Sequence, residues 1–183
     1  MSALVDSHTT GRHRNLVPHV APPDAEPPLP TLEGRALCFG LELAVMQILD
    51  PMHAGLAPAE ARRRLFAAVD PSLAARLAPD DVVVAEEITG DVACARPALA
   101  ALAAGGVRAL VARRFAAPVL DAARDLGLAA LVVDTPTFLH TDDRVRLDLD
   151  AAKIVNLSSG DRSAIRNLGD DERARLRTAL APR

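Results

Sequence analysis

The fold is decided by one uninterrupted stretch, Gly106-Val107-Arg108-Ala109-Leu110-Val111-Ala112-Arg113-Arg114-Phe115-Ala116. Its apolar segment Val107–Ala112 is short and predicts a buried strand. Just before it, a helix rich in alanine and leucine is predicted to begin at Pro97 and to stop at Gly105, which is the usual placement of proline and glycine at helix ends. A second helix is predicted over Pro118–Leu126.

The same alternation of strand and helix extends in both directions from this stretch. Further buried strands are predicted at Arg35–Phe39, Asp81–Ala85 and Leu128–Val133. A helix is predicted from Ala57 to Val69, with proline in its first turn. Strands that alternate with helices in this way are typical of an α/β protein with parallel strands.

The C-terminal third has a different pattern. Arg144–Leu149 and Lys153–Leu157 alternate polar and apolar residues, which predicts a β-hairpin with one solvated face. Asp170–Leu180 is predicted to form a terminal amphipathic helix. An α/β fold with a mixed sheet follows from these elements taken together.

Residues 1–30 form a compositionally distinct N-terminal segment. They contain six of the fourteen prolines and three of the five histidines of the chain. Clustered proline opposes both helix and sheet, so the segment is predicted to be a poorly ordered tail, and residues 31–183 a single domain. Metal binding by the tail histidines is the alternative to a solvated tail, which the composition favours.

Composition excludes several classes of function. Aromatic residues make up 2% of the chain and its net charge is −3, so no surface for DNA or RNA is expected. No apolar run approaches the roughly 20 residues of a membrane span, and no basic region followed by an apolar one marks a secretory signal. We therefore expect a cytoplasmic protein that does not bind membranes.

The two cysteines, Cys38 and Cys94, lie far apart and form no Cys-x-x-Cys arrangement. We therefore expect reduced thiols, and no iron–sulfur cluster, zinc site or other cofactor bound by this chain alone.

Several stretches, in the same order and spacing, resemble the small subunit of 3-isopropylmalate dehydratase, the swivelling domain of the aconitase superfamily. The resemblance extends from about Gly34 to Leu180 and implies a swivelling β/β/α domain with a C-terminal hairpin and helix. It also implies a partner, a separate large subunit that carries a 4Fe-4S cluster. The similar stretches are Gly34–Gly40, Gln47–Leu49, Phe66–Pro71, Asp80–Ala85 and Gly106–Ala116.

The chain departs from this family where the family has its catalytic residues. The family's Gly-Ser-Ser-Arg-Glu-His, at a helix N-terminus, is replaced by Val92-Ala93-Cys94-Ala95-Arg96-Pro97. The upstream Asn-Phe-Gly is replaced by Ile88-Thr89-Gly90, and an earlier Asp-Thr-Asp by Ala44-Val45-Met46. The active site is therefore degenerate relative to the family, and the family's catalytic residues do not transfer to this chain.

Three residues are candidates for catalysis. Cys94 lies at a predicted helix start, where the helix dipole would lower the pKa of its thiol and make it a nucleophile or base; the alternative is a buried small apolar residue. Glu87, with Glu86, ends a predicted strand at the same cleft and is either an acid/base group or an ordinary exposed carboxylate. His53 occupies the loop in which the family places substrate recognition, or it is a neutral loop residue.

Two further residues are candidates for substrate binding. Arg96 lies one position after the family's arginine and would bind a carboxylate if the helix start were shifted; a solvated arginine is the alternative. Gly90 is the residue of the family's Asn-Phe-Gly that this chain retains.

Three functions remain open. The first is a divergent hydro-lyase or isomerase subunit that acts on a hydroxy-carboxylate with the iron–sulfur large subunit. The second is a stand-alone, cofactor-free isomerase, dehydratase or cyclase that uses the same cleft for a less charged, more apolar substrate. The third is a non-catalytic binding subunit. Homo-oligomers are compatible with all three.

Overall fold

The structure is a computed structural model that describes residues 27–181, so most of the predicted tail (residues 1–26) lies outside the described residues. The described part contains one sheet with the strand order β5-β4-β3-β1-β6-β7-β8, and β2 pairs with β3 beside this path. The strands are β1 (Thr31–Cys38), β2 (Glu42–Ala44), β3 (Val82–Thr89), β4 (Ala109–Phe115), β5 (Ala129–Val132), β6 (Arg144–Asp148), β7 (Lys153–Asn156) and β8 (Arg162–Ala164).

The sheet has a parallel and an antiparallel half. Strands β1, β3, β4 and β5 are mutually parallel, and β2 runs parallel to the last residues of β3. Strand β6 joins β1 in antiparallel orientation and is followed by β7 and β8. The predicted mixed α/β sheet and its C-terminal hairpin are therefore confirmed.

Six α-helices connect these strands within the described residues. They are α1 (Val45–Ile48), α2 (Pro58–Ala61), α3 (Leu73–Arg76), α4 (Val92–Ala104), α5 (Ala117–Asp125) and α6 (Asp170–Ala179). In this part of the chain, no helix has the length and apolar character needed to cross a membrane.

The predicted helix over Ala57–Val69 is wrong. The α-helical part ends at Ala61 and passes into a 3₁₀ turn over Arg62–Arg64. Phe66 then adopts a left-handed backbone with φ of 59°. Its N–H donates to the carbonyl of Ile48 and its ring stacks on Phe39, with centroids 4.7 Å apart. These tertiary contacts outweigh the local helix propensity.

The start predicted for α4, at Pro97, is also wrong. The helix begins five residues earlier, after the N-cap Asp91, and Pro97 lies inside it. Asp91 is a strong N-cap because its carboxylate accepts a hydrogen bond from an otherwise unpaired N–H of the first turn. Pro97 is the sixth residue of the helix, where its missing N–H removes one i→i−4 hydrogen bond, and the helix nevertheless continues through it to Ala104.

The sheet separates two apolar cores. One contains Ala95, Leu99 and other residues of α4, together with alternate residues of the parallel strands such as Leu110. The second lies on the opposite face and includes Val84, Leu147 and Leu176 of α6. Because neighbouring residues of a strand point to opposite faces, the apolar parallel strands contribute to both cores.

An ion pair with a buried carboxylate fixes the middle of β1 against the turn before β3. The Asp81 side chain is 2% exposed. Its carboxylate accepts hydrogen bonds from Arg35 Nε (3.2 Å), Arg35 Nη2 (2.8 Å) and the N–H of Ala78 (2.8 Å). The same guanidinium reaches Asp142 at 3.3 Å, but Asp142 is exposed. The pairing with Asp81 is therefore the stabilising one.

We predict that Asp81→Ala lowers the free energy of unfolding by about 2–4 kcal/mol, because it removes the acceptor of Arg35 Nε and of the Ala78 N–H. Asp142→Asn is the matched control, since it removes the charge of the exposed partner of the same arginine while asparagine tolerates the left-handed backbone of this residue (φ of 73°). It is expected to change stability by less than about 0.5 kcal/mol. Urea unfolding followed by circular dichroism measures both. Equal effects of the two substitutions would contradict this account.

Candidate functional site

The candidate site lies at the edge of the sheet where the parallel strands end. Strand β3 ends at Thr89 and leads through Gly90 and Asp91 directly into α4. Strand β2 ends at Ala44 beside Thr89 and leads directly into α1. The N-termini of both helices therefore meet at this edge, which we call the carboxyl edge. Ligands of open α/β sheets bind outside such an edge.

The N-terminus of α4 carries its own carboxylate. Asp91 Oδ1 accepts a hydrogen bond from the backbone N–H of Cys94 at 2.8 Å. A helix N-terminus with free N–H groups attracts anions, but here an anion of the protein itself already satisfies one of them. Sequence reasoning missed Asp91, although an aspartate before an alanine-rich run is a recognisable N-cap signal.

The Cys94 thiol has a raised pKa. Partial burial raises it first, and the hydrogen bond and negative charge of Asp91 raise it further. The lowering predicted from the helix dipole is therefore wrong in direction, because burial and the adjacent carboxylate both favour the protonated thiol. The thiol is protonated at neutral pH, so it can donate a hydrogen bond or proton more readily than it can act as a thiolate nucleophile.

Gly90 is in direct contact with α1. A Cβ atom at this position would lie 2.2 Å from Cγ2 of Val45, a separation that no real contact tolerates. Val45 is itself buried. An apolar side chain therefore fills the space beside the backbone that leads into α4, at the position where the family has a polar residue. The sequence indicated an apolar replacement at Val45, but not its contact with Gly90.

Two pairs of opposite charges lie on β3 and β4 near this edge. Arg114 Nη2 donates to Glu87 Oε2 at 2.8 Å, and Arg113 Nε lies 3.6 Å from Glu86 Oε2. The hydrogen bond and charge of Arg114 lower the pKa of Glu87, so this carboxylate remains ionised at neutral pH. Glu87 is therefore placed as a base or an anchor for a cation more readily than as a general acid.

The structure places the two other candidate side chains apart from this group. Arg96 points toward α5, where its Nη1 donates to Asp125 Oδ2 at 2.7 Å, and both side chains are exposed. His53 lies in the 3₁₀ turn Pro51–His53 after α1, and its Nδ1 is buried without a hydrogen-bond partner among the described residues. The structure thus brings Gly90, Cys94 and Glu87 to one edge, while Arg96 pairs with a residue of α5 and His53 Nδ1 is buried in the turn after α1.

Between residues 27 and 181, no group of three or more histidine, cysteine, aspartate or glutamate side chains could hold a metal ion. The two cysteines are free, and they pack against the cores on opposite faces of the sheet.

This arrangement of parallel strands, antiparallel hairpin and helices is the swivelling domain fold of the aconitase and isopropylmalate dehydratase small-subunit type. The crystal structure of 3-isopropylmalate dehydratase from Methanocaldococcus jannaschii matches with a TM-score of 0.73, over 81% of this chain and 89% of that one, at 24% sequence identity. The fold class predicted from the sequence is therefore confirmed.

Sequence comparison finds proteins of the same kind. The chain is 23% identical over 133 residues to the 3-isopropylmalate dehydratase small subunit of Thermodesulfovibrio yellowstonii, covering 70% of this chain and 78% of that protein. It is 27% identical over 134 residues to the small subunit of Moorella thermoacetica, covering 71% and 80%. No family model matches the chain. The resemblance to these small subunits is therefore confirmed.

We predict that Gly90→Ala destabilises the protein by about 1–3 kcal/mol, because the new methyl group overlaps Val45. In the double variant with Val45→Ala the overlap is removed, so the loss of stability is smaller than the sum of the two single losses by about 1 kcal/mol or more. A double-mutant cycle from urea unfolding measures this coupling. Strictly additive losses would show that the contact between Gly90 and Val45 is not tight.

We predict that Asp91→Asn accelerates alkylation of Cys94 at pH 8 severalfold. Asparagine retains a side-chain oxygen for the N-cap but removes the negative charge that raises the pKa of the thiol. Iodoacetamide labelling followed by mass spectrometry of peptides gives the rate at Cys94, with Cys38 as an internal control on the opposite face of the sheet. An unchanged rate at Cys94 would mean that burial alone sets its pKa.

Proposed function

We propose that this chain is the swivelling subunit of a two-chain hydro-lyase or isomerase. In this proposal it docks its carboxyl edge onto a separate iron–sulfur subunit and closes the site in which a small hydroxy-carboxylate is converted. The observation that carries the proposal is a group of exposed apolar side chains along that edge.

This group consists of Leu41, Met46, Met52 and Val92, whose side chains are between 54% and 81% exposed. Leu41 follows β1, Met46 lies in α1 after β2, and Val92 begins α4 after β3. Met52 lies in the 3₁₀ turn that follows α1. Isolated exposed apolar residues are common, but several large ones along one edge indicate a protein–protein interface. We call these four residues the docking group.

The names of the relatives support this assignment. The two curated proteins similar to this chain are small subunits, and such a subunit requires a larger one. A 4Fe-4S cluster is held by three or four thiolate ligands, whereas this chain has two cysteines, which pack on opposite faces of the sheet. The residues of this chain therefore do not fit a cluster, and in this proposal the cluster belongs to the partner.

The contribution of this chain to the reaction would come from the N-terminus of α4. The protonated Cys94 thiol occupies the place of one family serine and is suited to hold or donate a proton. Because Asp91 already occupies the positive end of the helix, a substrate carboxylate is bound more weakly there than at an uncapped helix. Arg113 and Arg114, on the neighbouring strand β4, are candidates to replace the family's lost arginine.

A second function is favoured by the contact between Val45 and Gly90. This contact and the Asp91 cap both make the site less suited to a dicarboxylate. A stand-alone, cofactor-free isomerase, dehydratase or cyclase with a less charged substrate would fit these changes. A non-catalytic binding subunit would use the same docking group without turnover.

We predict that the tagged chain, purified from its native cells, recovers an iron–sulfur protein in stoichiometric amount. The double variant Met46→Asp/Val92→Asp is expected to lose this partner, because two carboxylates in an apolar interface must be desolvated without compensation. Leu157→Asp, which changes an exposed leucine after β7, is the control and should retain the partner. Mass spectrometry and an iron assay on the eluate measure both.

The other outcomes separate the alternatives. Recovery of the chain alone and without iron would overturn the two-chain proposal and favour the stand-alone enzyme. If a partner were recovered but the complex did not convert hydroxy-carboxylates, the remaining alternative would be a non-catalytic binding subunit.

A further inference from the structure

A second concave site lies at the carboxyl edge, on the face of the sheet opposite α4. Its volume is about 210 Å³. Its walls are the end of β1 with the loop that follows (Cys38, Leu41), the middle of β3 (Val84, Glu86) and the connection from β5 to β6 (Thr137, Leu139). We call it the η pocket, after the 3₁₀ turn Pro136–Phe138 in that connection.

The topology of the sheet creates this pocket. Strand β5 lies at one edge of the sheet, whereas β6, the next strand in the chain, pairs with β1 on the far side of β4 and β3. The connecting segment must therefore cross the ends of β4 and β3. Its 3₁₀ turn passes over them and covers a space between β3 and the loop after β1. A crevice at such a reversal of strand order is a common ligand site in α/β proteins.

The η pocket is separate from the candidate site around Cys94, and Leu41 is the one residue that it shares with the docking group. Its wall residues Cys38, Val84 and Leu139 pack in the core that contains α6. Cys94 and the buried face of α4 pack in the other core. Strand β3 therefore lies between the two sites, and a ligand in the η pocket would not contact the N-terminus of α4.

The walls of the η pocket are almost entirely apolar. Cys38, on one wall, has its thiol pKa raised to about 11 chiefly by burial, so it is uncharged at neutral pH and behaves as an apolar group with a weak donor. That donor is already used, because Cys38 Sγ donates to the carbonyl of Leu139 at 3.4 Å. Glu86 is the one charged residue of the lining, and it is paired only loosely with Arg113 at 3.6 Å.

We propose that the η pocket binds a small molecule through a branched aliphatic or single-ring group whose polar end is neutral or positively charged. Pockets for drug-sized ligands measure about 300–1,000 Å³, so this one is suited to a smaller group. An apolar cavity of about 150 Å³ is sufficient for a benzene ring. The carboxylate of Glu86 disfavours an anion, which distinguishes this ligand from a hydroxy-carboxylate.

The experiment compares three probes that share one branched chain: 3-methylbutan-1-ol, 3-methylbutan-1-amine and 3-methylbutanoate. Isothermal titration calorimetry on the full chain at pH 7 is expected to show saturable binding of the alcohol and the ammonium form of the amine. The carboxylate is expected to bind at least tenfold more weakly. Binding of the carboxylate as tightly as the amine would overturn the assignment of the polar end, and absence of saturable binding by all three would overturn the site.

Two substitutions on the connection over β3 provide a matched test. Thr137→Phe places a ring in the pocket and is expected to weaken binding at least tenfold. Thr135→Phe, two residues earlier and outside the lining, should leave binding unchanged. Both threonines are exposed, and neither side chain makes a hydrogen bond to another described residue, so the two variants lose similar contacts. Equal loss of affinity in both would contradict the proposed location.

A chemical readout on the unaltered protein does not depend on either variant folding. Occupancy of the pocket should slow alkylation of Cys38 by N-ethylmaleimide at pH 8.5, while Cys94 on the other face reacts at its ordinary rate. The two cysteines fall in different tryptic peptides, so mass spectrometry measures them independently. If saturating alcohol protected both cysteines equally, or protected neither of them, the proposal would be contradicted.

Discussion

The parallel alignment of β1, β3 and β4 is the constraint on which the rest of the molecule depends. Their registers, such as Cys38 opposite Val84 and Val84 opposite Val111, bring three strand ends to one edge of the sheet. Each strand end continues into a loop or helix, so residues that are distant in sequence meet there. The apolar strands are held between two cores, which makes this edge rigid. The docking group, the N-terminus of α4 and the η pocket all follow from this alignment.

The electrostatics of that edge differ from those of an ordinary anion-binding helix N-terminus. The positive end of α4 faces Asp91, whose carboxylate accepts the N–H of Cys94 and raises the pKa of its thiol. The arginines on β4 are likewise paired with the glutamates on β3. Charges that satisfy one another within the protein leave less attraction for a highly charged ligand. The local chemistry therefore favours a weakly charged substrate group or an apolar protein surface.

Much of the fold follows from the sequence, because the strands around Gly106–Ala116 are apolar and are bounded by glycine and proline. The C-terminal hairpin and α6 were likewise predictable from their polar–apolar alternation. The short strands were not predictable. Strands β2 and β8 have three residues each, and their pairing depends on the adjacent strands and not on a pattern of polar and apolar residues. The end of the helix at Ala61 could not be foreseen either, because the left-handed backbone of Phe66 is stabilised by contacts with Ile48 and Phe39 that lie far away in sequence.

The candidate site was predictable in part. Gly90, Cys94 and Glu87 could be placed at one edge because they lie at the end of a strand and the start of a helix. The direction of the pKa shift of Cys94 could not be predicted, since it depends on the burial of the thiol and on the orientation of the Asp91 carboxylate. The partner of Arg96 was hidden for the same reason, because Asp125 reaches it from another helix.

The most direct test of the account is hydrogen–deuterium exchange of the chain alone and in complex with the partner recovered from its native cells. The account predicts that slowed exchange is confined to residues 40–52 and 90–95, which carry the docking group. Protection of the hairpin β6–β7 or of α6, with these two segments unchanged, would contradict the claim that the carboxyl edge is the docking face.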